Sequence, residues 1–77
     1  SLSFESKVLT GKSGAIAPSE HNLNVNSPVQ LQAYKNGTLC GLSLSWTSDG
    51  QIEWASNVEL TSAMNVKIIA QQTGVTI

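Results

Sequence analysis

The sequence predicts an all-β, antiparallel domain, a small sandwich or partly closed barrel of roughly six to eight short strands, and three observations lead there. First, Asn36-Gly37 suits a two-residue type I′ hairpin loop, which requires positive φ at both central positions. That loop sets Ala33 opposite Cys40, Leu31 opposite Leu42 and Val29 opposite Leu44, so apolar residues meet across the pair. Second, Ser48-Asp49-Gly50 suits a three-residue loop that closes with glycine in the left-handed region. It pairs Trp46 with Ile52 and Leu44 with Trp54. Third, an even-numbered core face runs from Cys40 to Val58, while Ser43, Ser45, Thr47, Gln51, Glu53, Asn57 and Glu59 share the opposite side. Val29 to Leu60 therefore reads as three antiparallel strands, the centre around which the chain is organised.

The segments before it follow in order. Leu2, Phe4 and Val8 alternate with Ser3, Glu5 and Lys7, which predicts a first strand ending near Thr10-Gly11. Gly11-Lys12-Ser13 has the tail of a phosphate-binding loop, but Ser6 stands where that motif needs glycine and no helical pattern follows, so it reads as a turn. Ala15 to Ala17 is a short apolar piece closed by Pro18, and Ser19-Glu20-His21-Asn22 reads as a polar loop with His21 solvated. Leu23, Val25 and Ser27 stay in phase with Val29, Leu31 and Ala33, yet Pro28 between them cannot donate to a ladder. It implies a sheet edge, or a bend where the chain passes from one sheet to another, and a free edge is where a second chain could add.

After Leu60 two patterns compete. Val58, Leu60, Met64, Val66, Ile68 and Ala70 share even parity, which favours strands with a turn near Ser62-Ala63. Against that, Ser56-Asn57-Val58-Glu59 fits a capping box and Gly74 is placed to end a helix. The apolar residues scatter around a helical wheel, so strands are preferred. The alternative is a small sheet plus one buried helix over 57–73, OB-like, with Val75-Thr76-Ile77 as a closing strand. In that version Ala70-Gln71-Gln72-Thr73-Gly74-Val75-Thr76-Ile77 resembles the helix-to-strand passage of the pentameric sugar-binding subunits of Shiga-type toxins. The resemblance covers a tenth of the chain, lacks that family's paired cysteines, and implies a sugar-binding pentamer.

Composition bounds the function. At 77 residues the chain is one domain (1–77) that buries only about 60% of its unfolded surface, so a partner subunit would add stability. The charged fraction is 12%, against roughly 25% in typical globular domains, and Ser, Thr, Asn and Gln take the surface positions instead. That balance suits an extracellular or virion β-protein. The net charge is −1, arginine is absent, and Lys7, Lys12, Lys35 and Lys67 are scattered, so no basic stripe exists for nucleic acid. No apolar run reaches the ~20 residues of a membrane span and no signal-peptide pattern is present, and Ser1-Leu2-Ser3 begins directly in an alternating pattern, which suggests a mature chain or an excised domain. Cys40, the one cysteine, faces inward and reads as a buried, inert thiol.

Candidate chemistry is sparse. Glu5, Glu20, Asp49, Glu53 and Glu59 do not converge as the two facing carboxylates of a glycosidase, no cofactor is expected, and His21 has no second histidine for a metal. An enzyme built around His21 is the third reading. Trp46 and Trp54, with Asp49 at the nearby turn, are the binding candidates, because tryptophan stacks on sugar rings. Their parity also places them in a core that includes Leu31, Leu42, Leu44, Ile52, Val58, Val66 and Ile68. Asn36-Gly37-Thr38 matches the N-glycosylation pattern, although the turn alone explains Asn-Gly. The expected function is a non-catalytic binding or assembly module, an oligomeric surface component such as a phage tail protein or adhesin. The alternative is a carbohydrate-binding or toxin-subunit-like module using Trp46 and Trp54 against a glycan or cell-surface receptor.

Overall fold

In the computed structural model, which describes residues 1–74, the chain forms seven strands in two antiparallel sheets. The strands are β1 (Leu2–Glu5), β2 (Gly11–Ile16), β3 (Gln30–Lys35), β4 (Thr38–Cys40), β5 (Ser43–Trp46), β6 (Ile52–Leu60) and β7 (Val66–Gln72). A single helical turn, α1 (Pro18–His21), follows β2, and a 3-10 turn at Ser62–Met64 joins β6 to β7. One sheet has the order β1-β7-β3-β4 and the other β2-β6-β5. The sheets do not close into a barrel. Their inner faces meet over Ile16, Ile52, Trp54 and Leu60 from one side and Val66, Ile68 and Ala70 from the other, with Leu9 and Leu23 between.

Both turns behave as their residues dictate. Asn36 and Gly37 take φ of 51° and 85°, and Ala33↔Cys40 and Lys35↔Thr38 pair across them. Gly50 takes φ of 82°, Thr47 N–H donates to Gln51 O at 2.9 Å, and Leu44↔Trp54 and Trp46↔Ile52 pair as expected.

The expected three-stranded unit is nevertheless split. β4 stops at Cys40, and after Gly41-Leu42 the chain re-enters the other sheet as β5, so Leu31–Leu42 and Val29–Leu44 do not pair. Leu31 instead faces Ala70 of β7. Leu42 and Leu44 still turn toward the core, because a strand that changes sheets keeps the same inward parity.

Of the two readings after Leu60, the preferred strands are found and the alternative helix over 57–73 is not: β6 runs to Leu60 and β7 begins at Val66, with the turn at Ser62–Met64 between them. The Val75-Thr76-Ile77 strand lies outside the described residues. Val58 is not core but 58% exposed, because the β2–β6 register jumps between Gly11↔Leu60 and Ser13↔Ala55 and β6 bulges over Ser56–Glu59. Ser56 Oγ accepts from Val58 N–H at 3.2 Å within that bulge rather than capping a helix. Gly11-Lys12-Ser13 opens β2 rather than forming a separate turn, and Leu23 to Ser27 is a loop rather than a strand.

Two buried polar side chains hold the irregular segments. After β1, Ser6 donates its N–H to Ile68 O at 2.8 Å and accepts from Ile68 N–H at its Oγ, also at 2.8 Å. The pairing with β7 therefore continues past the strand, and Leu9 rather than Val8 reaches the core. Gln72 is fully buried. Its Oε1 accepts from Asn24 N–H at 2.9 Å, and its Nε2 donates to Asn24 O at 2.6 Å and Ser27 O at 3.3 Å. One glutamine side chain thus satisfies a loop that has no strand partner. Pro28 follows it, where the chain passes from the β2 sheet to β3, the bend anticipated from its missing N–H.

Candidate functional site

The residues singled out in the sequence divide between interior and turn. Trp54 is 7% exposed and its ring lies over Gly14, the residue opposite it in β2, where an added Cβ would sit 2.8 Å from Trp54 Nε1. Trp46 is half-buried against the core. Asp49 is exposed at the turn tip and accepts a hydrogen bond from the Thr47 hydroxyl. The two indoles thus face between the sheets, and Asp49 is occupied by its own turn.

His21 is buried rather than solvated, with 4% exposure. The helical turn after Pro18 and the left-handed Asn22 (φ 56°) fold its ring inward, where it lies 6.1 Å from the Phe4 ring and 5.2 Å from the Trp46 ring. Leu23 N–H donates to Nδ1 at 2.9 Å, so Nε2 carries the proton and donates to Gly50 O at 2.6 Å. Both ring nitrogens are engaged with backbone. The histidine ties α1 to the β5–β6 turn and plugs one end of the sandwich. Among the described residues no group of three or more His, Cys, Asp or Glu is placed to hold a metal ion.

Chemically varied side chains gather instead on the outer face of the four-stranded sheet. Register places Lys67, Tyr34 and Leu39 in one row across β7, β3 and β4, and Glu5, Ile69 and Gln32 in the next across β1, β7 and β3. Tyr34 OH donates to Gln32 Oε1 at 3.0 Å, and Lys67 Nζ lies 4.0 Å from Glu5 Oε2. Both ends of that ion pair are solvent-accessible, so it contributes at most about 1 kcal/mol and leaves the two groups available to a ligand. Glu5, Tyr34, Gly37, Asn65, Lys67 and Ile69 line a depression of ≈ 390 Å³. Beside it Leu39, on the edge strand β4, is 63% exposed.

The outer face of the three-stranded sheet is different in kind. Its rows are Ser13–Ala55–Ser43 and Ala15–Glu53–Ser45, and with Gly14 and Trp54 they line an open hollow of ≈ 500 Å³ that holds a single carboxylate. Apart from Glu53 and the buried Trp54, small hydroxyls and methyls make up that surface and offer little that is directional.

Tyr34 and Leu39 were missed as candidates, although parity could have found them. In the Asn36-Gly37 hairpin, Ala33 and Cys40 face inward, so Tyr34 and Leu39 must face outward as a cross-strand pair. No helix among the described residues is long and apolar enough to cross a membrane. No protein-family model matches the chain, and no curated protein or solved structure matches it.

Proposed function

We propose that the chain is a non-catalytic binding and assembly module that works as an oligomer on an extracellular or virion surface. The observation that carries this reading is the Lys67–Tyr34–Leu39 row, which puts a strongly exposed leucine of the uncharged edge strand β4 beside Tyr34 of β3. Two features support it. The core cluster is small, with about as many half-buried apolar residues packed around it as buried ones within it, which suits a chain that completes its burial against another chain. A surface of Ser, Thr, Asn and Gln with few charges favours hydrogen bonding between chains over charge steering. Light scattering across a concentration series tests the reading: a mass above the 8.1 kDa chain that rises with concentration is expected, and a strict monomer at high micromolar concentration defeats it.

A second reading, carbohydrate binding, draws on a different observation. The depression beside Tyr34 combines an aromatic ring, the Glu5 carboxylate, the Asn65 amide and the Lys67 ammonium, the mix that stacks on and hydrogen-bonds to sugar hydroxyls. On this reading the sugar platform is Tyr34 rather than Trp46 and Trp54. Glycan-array binding that Tyr34→Ala removes would put it first.

A further inference from the structure

We propose that two copies of the chain associate by antiparallel pairing of their β4 strands across a two-fold axis at Leu39, joining the two four-stranded sheets edge to edge. The inference rests on the assembly reading and gives it a partner, a second copy, and a surface.

Among the described residues, the four open sheet edges are not alike. Strand edges in soluble proteins are guarded against pairing by charged side chains, proline or bulges. On one side of the sandwich, β1 carries Glu5, while β2 carries Lys12 and the register jump opposite it. On the other side, β4 and β5 carry no charge, and no residue between Lys35 and Asp49 is charged. The unguarded side also holds Leu39.

Hydrogen-bond phase selects the pairing. A two-residue loop makes its flanking residues, Lys35 and Thr38, a hydrogen-bonded pair, so Ala33 and Cys40 form the next one and Tyr34 and Leu39 lie between. The N–H and C=O of Leu39 therefore point out of the sheet, toward the open edge. β4 has three residues with Leu39 at the centre, so a two-fold axis there sets Leu39 opposite the partner's Leu39 as a hydrogen-bonded pair, with Cα atoms about 5.5 Å apart. The outer-face row Lys67–Tyr34–Leu39 then continues through the partner's Leu39, and the exposed leucine is covered by its own copy. β5, the other unguarded edge, presents only Ser43 and Ser45 outward and lacks such an anchor.

Three paired residues cover only part of the roughly 800 Å² per partner that a stable dimer buries. Half-buried Leu31, Cys40, Leu42 and Leu44 extend the apolar area on the same side. β4 pairs only Ala33 to Lys35, which leaves Leu31 without a neighbour there, and the short Gly41-Leu42 crossing brings the edges of β4 and β5 together.

The test combines sedimentation velocity with cross-linking. Wild type should sediment at twice 8.1 kDa, and Leu39→Lys, which puts a charge on the axis, should raise the dimer dissociation constant at least about tenfold with the circular dichroism spectrum unchanged. Leu39→Cys in a Cys40→Ser background should form an intermolecular disulfide on mild oxidation, since a Cα separation of about 5.5 Å lies within disulfide reach. A wild-type dimer that is unaffected by Leu39→Lys and yields no cross-link through Leu39→Cys overturns the β4 interface while leaving assembly standing through another surface. A wild type that stays monomeric at high micromolar concentration overturns both.

Discussion

Replacing His21 with alanine should remove a large part of the domain's stability. The substitution strips a partner from the buried Leu23 N–H and from Gly50 O, each of which costs about 1–3 kcal/mol when left unsatisfied. It also empties the space between the Phe4 and Trp46 rings, so a total loss of about 3–5 kcal/mol is expected. Against the roughly 4–12 kcal/mol of a domain of 77 residues, that removes from about a quarter of the stability to all of it. Urea denaturation followed by tryptophan fluorescence measures it directly, with Trp46 as a local reporter 5.2 Å from the lost ring. Glu20→Ala, one residue away and exposed, is the control and should stay within about 0.5 kcal/mol. A His21→Ala loss below about 1 kcal/mol would refute the buried-plug account and return His21 to the solvated loop that its sequence neighbours suggest.

The same denaturation assay should separate two apolar positions that sequence parity treats alike: Ile68→Ala, fully buried, should lose about 2–5 kcal/mol, while Val58→Ala on the bulge should stay within about 0.5 kcal/mol. Gly50→Ala should lower the melting temperature by about 4–8 °C for each kcal/mol lost, because Gly50 has φ of 82° and its added Cβ would overlap the Val25 side chain. An unchanged melting temperature would mean that the β5–β6 turn has room which the packing denies it. Gln72→Leu should leave the Asn24 N–H and the Ser27 C=O unpaired, and hydrogen exchange by NMR should show the Asn24 amide losing protection while the β7 amides keep theirs.

What the sequence made legible was local. The loops at Asn36-Gly37 and Ser48-Asp49-Gly50 set the Ala33–Cys40, Leu44–Trp54 and Trp46–Ile52 pairs correctly, because turn geometry determines the first pairs on either side of a loop. Farther from the loops, pairing depends on contacts that alternation does not encode. Inward parity is the same in both sheets of a sandwich, so alternation gives no sign that the chain changes sheets at Gly41-Leu42. Val58 failed because the β6 bulge is imposed by the register against β2, which lies far away in sequence. His21 and Gln72 read as ordinary polar residues because Gly50 and Asn24, their partners, are remote from them along the chain. The outward Tyr34–Leu39 pair, by contrast, follows from the same hairpin register that turns Ala33 and Cys40 inward.

Whether the chain completes itself against a second copy is decided by sedimentation equilibrium of the unmodified protein from low to high micromolar concentration. A reversible shift from 8.1 kDa toward twice that mass is expected, and a single 8.1 kDa species at every concentration would overturn the proposed pairing.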